Sequence, residues 1–249
     1  MKKIKNFLTE LGAYILLMRE AFKRPQNSVV FFRRLIFEMK ALGIDSIFIV
    51  LIISVFVGAA IVIQIILNIN GPMYPNWVYG FASRKAIILE LAPTIISLIL
   101  AGKCASRIAS ELGTQRITEQ IDALEVMGVN TASYLILPKI AACLIFFPLL
   151  MIISIFSALT GGLIGALPMG VITYFDYVEG IRLEFSSGEI VYAMVKATIN
   201  ALIISSIACY RGYTLKGGSV EVGQESTKAI VQSSIFIMIF NILVTSLFN

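Results

Sequence analysis

The sequence predicts an all-α integral membrane protein: an N-terminal interfacial amphipathic helix, five transmembrane helices, and a short cytoplasmic helix between spans two and three. Three observations predict it. Of 249 residues, 58% are hydrophobic and only 14% charged, against about 25% charged in soluble domains. The apolar residues gather into long runs, two of them without any charge and about as long as the roughly twenty residues that cross the hydrocarbon. The longest stretch of mixed charge, Ala101 to Gly128, interrupts these runs and carries helical periodicity of its own.

Residues 1–46 read as cytoplasmic, interfacial sequence and residues 47–249 as the five-span domain. Ile4, Leu8, Leu11, Ile15, Met18 and Phe22 recur at helical spacing among Lys2, Lys3, Lys5, Arg19, Lys23 and Arg24, the pattern of a helix lying on a membrane surface. Glu10 interrupts the apolar face and no small-residue cleavage site follows, which argues against a signal peptide. Pro25 to Ser28 breaks this helix. A second basic stretch, Val29 to Gly43, leads into the membrane with Arg33, Arg34 and Lys40.

The spans fall at 47–67, 86–110, 134–167, 190–210 and 229–248. Pro72, Pro75 and the interfacial aromatics Tyr74, Trp77 and Tyr79 mark the first outer loop. Residues 168–189 form a more polar loop, with Asp176, Glu179, Glu184 and Glu189 against Arg182, read as solvated charge. Gly161 and Gly165, with Gly58, Ala59 and Ala60 in the first span, are small residues of the kind that let membrane helices approach closely.

In the central stretch, Gly113 and Thr114 are expected to break the preceding helix and cap the next, and Gly128 to close it. The helix so defined, 115–127, has Ile117, Ile121, Leu124 and Met127 as its apolar stripe and Arg116, Glu119, Gln120, Asp122 and Glu125 on other faces. It is too short to cross a bilayer. From periodicity alone it is either an interfacial helix that stabilises a turn or a docking element for a soluble partner.

Orientation follows from the basic residues. With the N-terminus in the cytoplasm, sixteen of the twenty Lys and Arg lie on that side, and only Arg84, Lys85, Arg182 and Lys196 lie opposite. The central helix is then cytoplasmic, the acidic loop external, and the C-terminus on the side opposite the N-terminus.

The absence of histidine excludes His-dependent triads and imidazole-ligated metals. Cys104, Cys143 and Cys209 are far apart and read as apolar fillers. Gly218 to Gly223 has the glycine spacing of a phosphate-binding loop, but Gln224 and Glu225 stand where Lys and Ser or Thr are needed, so the glycines are expected to form turns. No cofactor, metal or nucleic acid is expected, and the chain is not read as an enzyme. Glu90 is the acidic residue inside an apolar span. It is either a polar point on a substrate or proton path or a side chain that snorkels outward to Arg84 and Lys85. Pro93 loosens the same turn.

The run Glu90-Leu91-Ala92-Pro93, then Ala101-Gly102-Lys103, then Glu111 to Val129 (ELGTQRITEQIDALEVMGV) resembles the MlaE/YrbE family. Those proteins are the permease subunits of ABC transporters that move phospholipids with MCE-domain proteins. Gly58, Gln64, Pro138-Lys139, Pro148-Leu149-Leu150, Arg211-Gly212-Tyr213, Gly217-Gly218 and Ser226 to Val231 add to the resemblance, which covers roughly residues 25–248. It implies a homodimer in the bacterial inner membrane that passes phospholipid to or from a periplasmic MCE carrier and so maintains outer-membrane lipid asymmetry. It further implies a separate cytoplasmic ABC ATPase, in some systems a STAS-domain protein, and a coupling role for the 115–127 helix through Arg116, Glu119, Gln120, Asp122, Leu124 and Glu125. Glu90, Leu89 and Pro93 would belong to the lipid pathway; many relatives carry Arg at the Leu89 position. Against this stand an ion-coupled carrier using Glu90 and a non-transporting scaffold.

Overall fold

A computed structural model describes residues 2–23, 27–69 and 74–248. The break at Pro25, the Pro72 turn and the side chains of Lys2, Lys3, Ile4 and Lys5 lie outside the described residues. Among those described there is no β-strand. The helices are α1 (Lys2–Ala21), α2 (Ser28–Ile69), α3 (Trp77–Ile117), α4 (Gln120–Val126), α5 (Ala132–Met169), α6 (Tyr174–Arg182), α7 (Ser187–Tyr213) and α8 (Ser219–Phe248). Five of them, α2, α3, α5, α7 and α8, are long and apolar enough to cross a membrane.

The helices outrun the apolar segments that revealed them. The basic stretch before the first span is part of α2, which starts where the Asn27 side chain accepts from the Val29 and Val30 backbone N–H groups at 2.9 and 3.4 Å. Helix α8 begins at Ser219, so Gly223 lies inside it and only Gly217, at φ 129°, makes the turn. Residues 168–189, read as a loop, contain α6. Its start is fixed by Thr173, which accepts from the Asp176 N–H, while the Asp176 carboxylate accepts from the Thr173 N–H.

The chain forms two compact units: Met1–Ile44, Leu100–Ile145 and Ala201–Ile239; and Asp45–Ile99, Phe146–Asn200 and Phe240–Asn249. In the first, α1 leaves Leu8, Leu11, Ile15 and Phe22 exposed and buries Leu17 and Ala21. The exposed set belongs to the stripe predicted to face a membrane surface. The Lys139 ammonium is buried between two carboxylates, 2.5 Å from Glu38 and 2.8 Å from Glu111, so one cation joins α2, α3 and α5. Cys104, Cys143 and Cys209 are buried thiols, none in a disulfide.

In the second unit, backbone meets backbone between α2 and α5. A Cβ on Gly58 would overlap the Ala158 carbonyl, and one on Gly161 would overlap Val55. The small residues therefore do permit close approach. Gly58→Leu should destabilise the chain by at least about 2 kcal/mol, read as a lowered melting temperature in detergent. Gly12→Leu, where a side chain meets open space, should melt like the unaltered protein.

Gly80 and Gly180 likewise bring α3 and α6 into contact. There Arg84 is wholly buried, donating to the Ile181 and Leu183 carbonyls at 2.8 Å each and lying 3.4 Å from Glu189. Asp176 and Glu189 are thus structural partners, where the sequence suggested solvated charges. The Thr173 contacts hold the Asp176 carboxyl below the ordinary carboxylate range.

Candidate functional site

The connection between α3 and α5 lies wholly in the first unit. Gly113 and Thr114 do not break α3. Gly113 is buried, where a Cβ would crowd Leu215 at 3.2 Å, and its small size serves packing. The helix runs to Ile117, and the break comes at Glu119, whose left-handed backbone (φ 58°) turns the chain into the seven-residue α4. Gly128, at φ 76°, closes α4 as expected.

Helix α4 is fastened on three sides. Ile121 is fully buried. Asp122 accepts from Arg116 at 2.7 Å, and Glu125 accepts from the Tyr213 and Thr131 hydroxyls at 3.0 and 3.1 Å. Leu124 is half-buried and lines a cleft of about 240 Å³ with Val30, Phe31 and Tyr134. Of the six coupling residues singled out in the sequence, Arg116, Asp122 and Glu125 are engaged internally and only Glu119 and Gln120 are freely exposed.

Beside these polar groups, α4 offers two large apolar side chains outward. Val126 is 89% exposed and Met127 69%. With Glu119 and Ala123, also exposed, they follow the i, i+4, i+7, i+8 pattern of one helix face. The sequence placed Met127 on one apolar stripe with Ile117, Ile121 and Leu124. The structure separates Met127 from Ile121: six residues apart, they lie about 120° from one another around the helix, Ile121 buried and Met127 exposed.

The second cluster lies in the other unit, where α3 widens into π-helical turns from Ile87 to Ile96. Pro93 is the cause: it has no N–H for the carbonyl four residues earlier and its ring demands room there. That carbonyl, of Leu89, accepts instead from the Lys196 ammonium at 3.1 Å. The Pro93 carbonyl accepts from Asn200 at 3.4 Å. Lys196 also lies 3.1 Å from Glu90, and the Thr245 hydroxyl donates to the same carboxylate oxygen at 2.8 Å. Asn241 donates to the Thr94 hydroxyl at 3.1 Å.

Glu90, Leu89 and Pro93 are therefore brought together, on polar rungs that the sequence reading did not assemble. Lys196 and Asn200 on α7, like Asn241 and Thr245 on α8, are polar pairs four apart inside apolar helices. That spacing was the available signal. The snorkelling alternative is corrected. Arg84 is occupied beneath α6, and Lys85 lies over the Phe81 ring at 4.8 Å. The cation beside Glu90 is Lys196, whose side chain is fully buried. Leu89 offers no charge of its own.

Five helices long and apolar enough to cross a membrane, with a short helix that turns two apolar side chains outward between the second and third, define a multi-pass membrane protein. Comparison with known proteins gives its family. The profile of the family Permease MlaE matches residues 35–247. A probable ABC transporter permease protein of Rickettsia bellii is 33% identical over 256 residues, covering 99% of this chain and 95% of that one. A probable ABC transporter permease protein of Synechocystis is 30% identical over 204 residues, covering 82% and 77%. Protein TRIGALACTOSYLDIACYLGLYCEROL 1, chloroplastic, of Arabidopsis thaliana is 30% identical over 224 residues, covering 88% and 62%. The chain belongs to the MlaE permease family. It is the non-catalytic membrane subunit of an ABC transporter, whose ATPase is a separate polypeptide.

Proposed function

We propose that this permease moves phospholipid between a bacterial inner membrane and a periplasmic MCE-domain carrier, maintaining the lipid asymmetry of the outer membrane. In this reading it works as a homodimer with its N-terminus in the cytoplasm and its C-terminus in the periplasm. A cytoplasmic ABC ATPase drives it, joined in some systems of the family by a STAS-domain protein. The observation that carries the reading is the outward face of α4. Val126 and Met127 are large apolar side chains standing in the open at a loop tip, the form of a knob that seats in another protein's groove. The ATPase pushes on that knob, and α3 and α5, which α4 joins, move with it.

The lipid substrate is supported by the sequence resemblance and by the Arabidopsis relative, whose name is that of a galactolipid. Glu90, Leu89 and Pro93 are assigned to the lipid pathway. The widened turn makes α3 deformable there, and Glu90 keeps 45% of its side chain exposed while Lys196 and Thr245 hold it. An ion-coupled carrier has less support, because Glu90 is already engaged by a buried cation. The dimer is supported by α8, which leaves Ile235, Ile239 and Ile242 at least half exposed.

The test is reconstitution of the chain with its ATPase in vesicles holding fluorescent phospholipid, with an MCE-domain acceptor outside. Transfer should require hydrolysable ATP and be indifferent to a pH gradient. Transfer that follows the gradient and ignores ATP would establish the ion-coupled carrier instead.

A further inference from the structure

Within the first unit, α1, α7 and α8 enclose a cleft of about 330 Å³. That is near the lower limit of ligand sites, about 300–1,000 Å³. Its body is apolar, formed by Leu11, Leu202, Ile203, Ile207 and Phe236. Leu11 also belongs to the exposed apolar face of α1, so the cleft is continuous with the surface assigned to the membrane interface. The floor is closed by polar contacts between α1 and α7. Tyr14 donates to Ser206 at 2.8 Å, Tyr210 donates to the Glu10 carbonyl at 3.2 Å, and the two tyrosine rings meet edge to face.

One end of the cleft is charged and only loosely satisfied. Arg211 gives its Nε–H to Gln232 at 2.9 Å, but its other nitrogens meet carboxylates at long range, Glu225 at 3.5 Å and Glu10 at 3.7 Å. Strong guanidinium–carboxylate contacts are about 2.7–2.9 Å, so this fork retains donor capacity. Glu225 is neutralised by Lys228 at 2.7 Å. Among the described residues the Glu10 carboxylate meets only Arg211, at 3.7 Å, and its side chain is 59% exposed. The cluster of Arg211, Lys228, Glu10 and Glu225 carries no net charge, yet it presents an under-used cation beside an under-used anion.

We propose that this cleft binds a zwitterionic aminophospholipid of the surrounding leaflet, its phosphate at Arg211, its ammonium at Glu10 and one acyl chain along the apolar wall. A purely anionic headgroup brings the phosphate but leaves it facing the Glu10 carboxylate. A headgroup with its own ammonium completes both halves. The volume admits part of one lipid and no more, so the site holds a resident lipid that pins α1 against α7. It is separate from the residues assigned to the transport pathway, and it does not depend on which substrate the transporter moves.

The test uses the full chain in lipid nanodiscs, with native mass spectrometry counting retained lipid. The probes are phosphatidylethanolamine and phosphatidylglycerol. Phosphatidylethanolamine should be retained at one per chain, preferred by about fivefold, the scale of one exposed ion pair. Glu10→Gln should erase that preference. Leu202→Trp, at a position already 39% exposed, should fill the cleft and displace the lipid. Both positions are exposed, so both variants should fold and insert. Preference that survives Glu10→Gln, lipid retained equally in Leu202→Trp, or a protein helix captured by a cross-linker at position 202 would each overturn the proposal.

Discussion

Val126→Asp combined with Met127→Asp is expected to detach the ATPase while leaving the permease folded and inserted. Both side chains are exposed in the isolated chain, 89% and 69%, so the substitutions create no cavity. In the assembly they would stand at the centre of the docking surface. Carboxylates there must be desolvated without a partner, which costs about 4 kcal/mol or more for the pair and roughly a thousandfold in affinity. The measurement is co-purification of the ATPase with the doubly substituted chain, together with ATP-driven lipid transfer. Both should be lost. Charge reversal at Glu119 and at Asp122 should differ from each other: Glu119 is free, whereas Asp122 holds Arg116 at 2.7 Å, so reversing it also loosens α4 itself.

The second large effect is expected at Lys139. Its ammonium is almost fully buried and serves both Glu38 and Glu111. Lys139→Met leaves the Glu38 and Glu111 carboxylates facing one another without the ammonium that bridges them, and breaking a buried pair in this way costs about 3–5 kcal/mol. The variant should be poorly recovered from membranes and melt well below the unaltered chain. The combination Glu38→Gln, Glu111→Gln, Lys139→Met removes the stranded charges along with their partner and should regain most of the loss. If Lys139→Met alone melted normally, the ion cluster would not be what joins α2, α3 and α5.

The five spans were legible because an uncharged run of about twenty residues has few other solutions in a chain this apolar. The amphipathic α1 was legible from its spacing. The ends of the helices were not, because hydrophobicity reports where a helix is in lipid and not where its hydrogen bonding stops. Helix α8 continues upstream through Glu221, Gly223 and Glu225, none of which looks like membrane. Helix α6 hid behind its acidic residues, although Thr173 and Asp176 are spaced as a capping pair.

Between the second and third spans the short helix was found, but its start was misplaced. Gly113 suggested a break where it instead admits Leu215 and Val222, contacts that sequence-distant helices supply. At Glu90 the polar character was visible, and its partner was not. Lys196 is 106 residues away and had been counted with the external basic residues, whereas it is buried against the carboxylate. Pro93 forecast the loosened turn, and the Leu89 carbonyl there accepts from Lys196 at 3.1 Å.

The central claim, an ATP-driven phospholipid permease, is tested most directly by purifying the chain gently from its native membrane and identifying by mass spectrometry the proteins and lipids that accompany it. An ABC ATPase, an MCE-domain protein and stoichiometric phospholipid are the predicted companions. Recovery of the chain without any ATPase, across several detergents, would contradict the account.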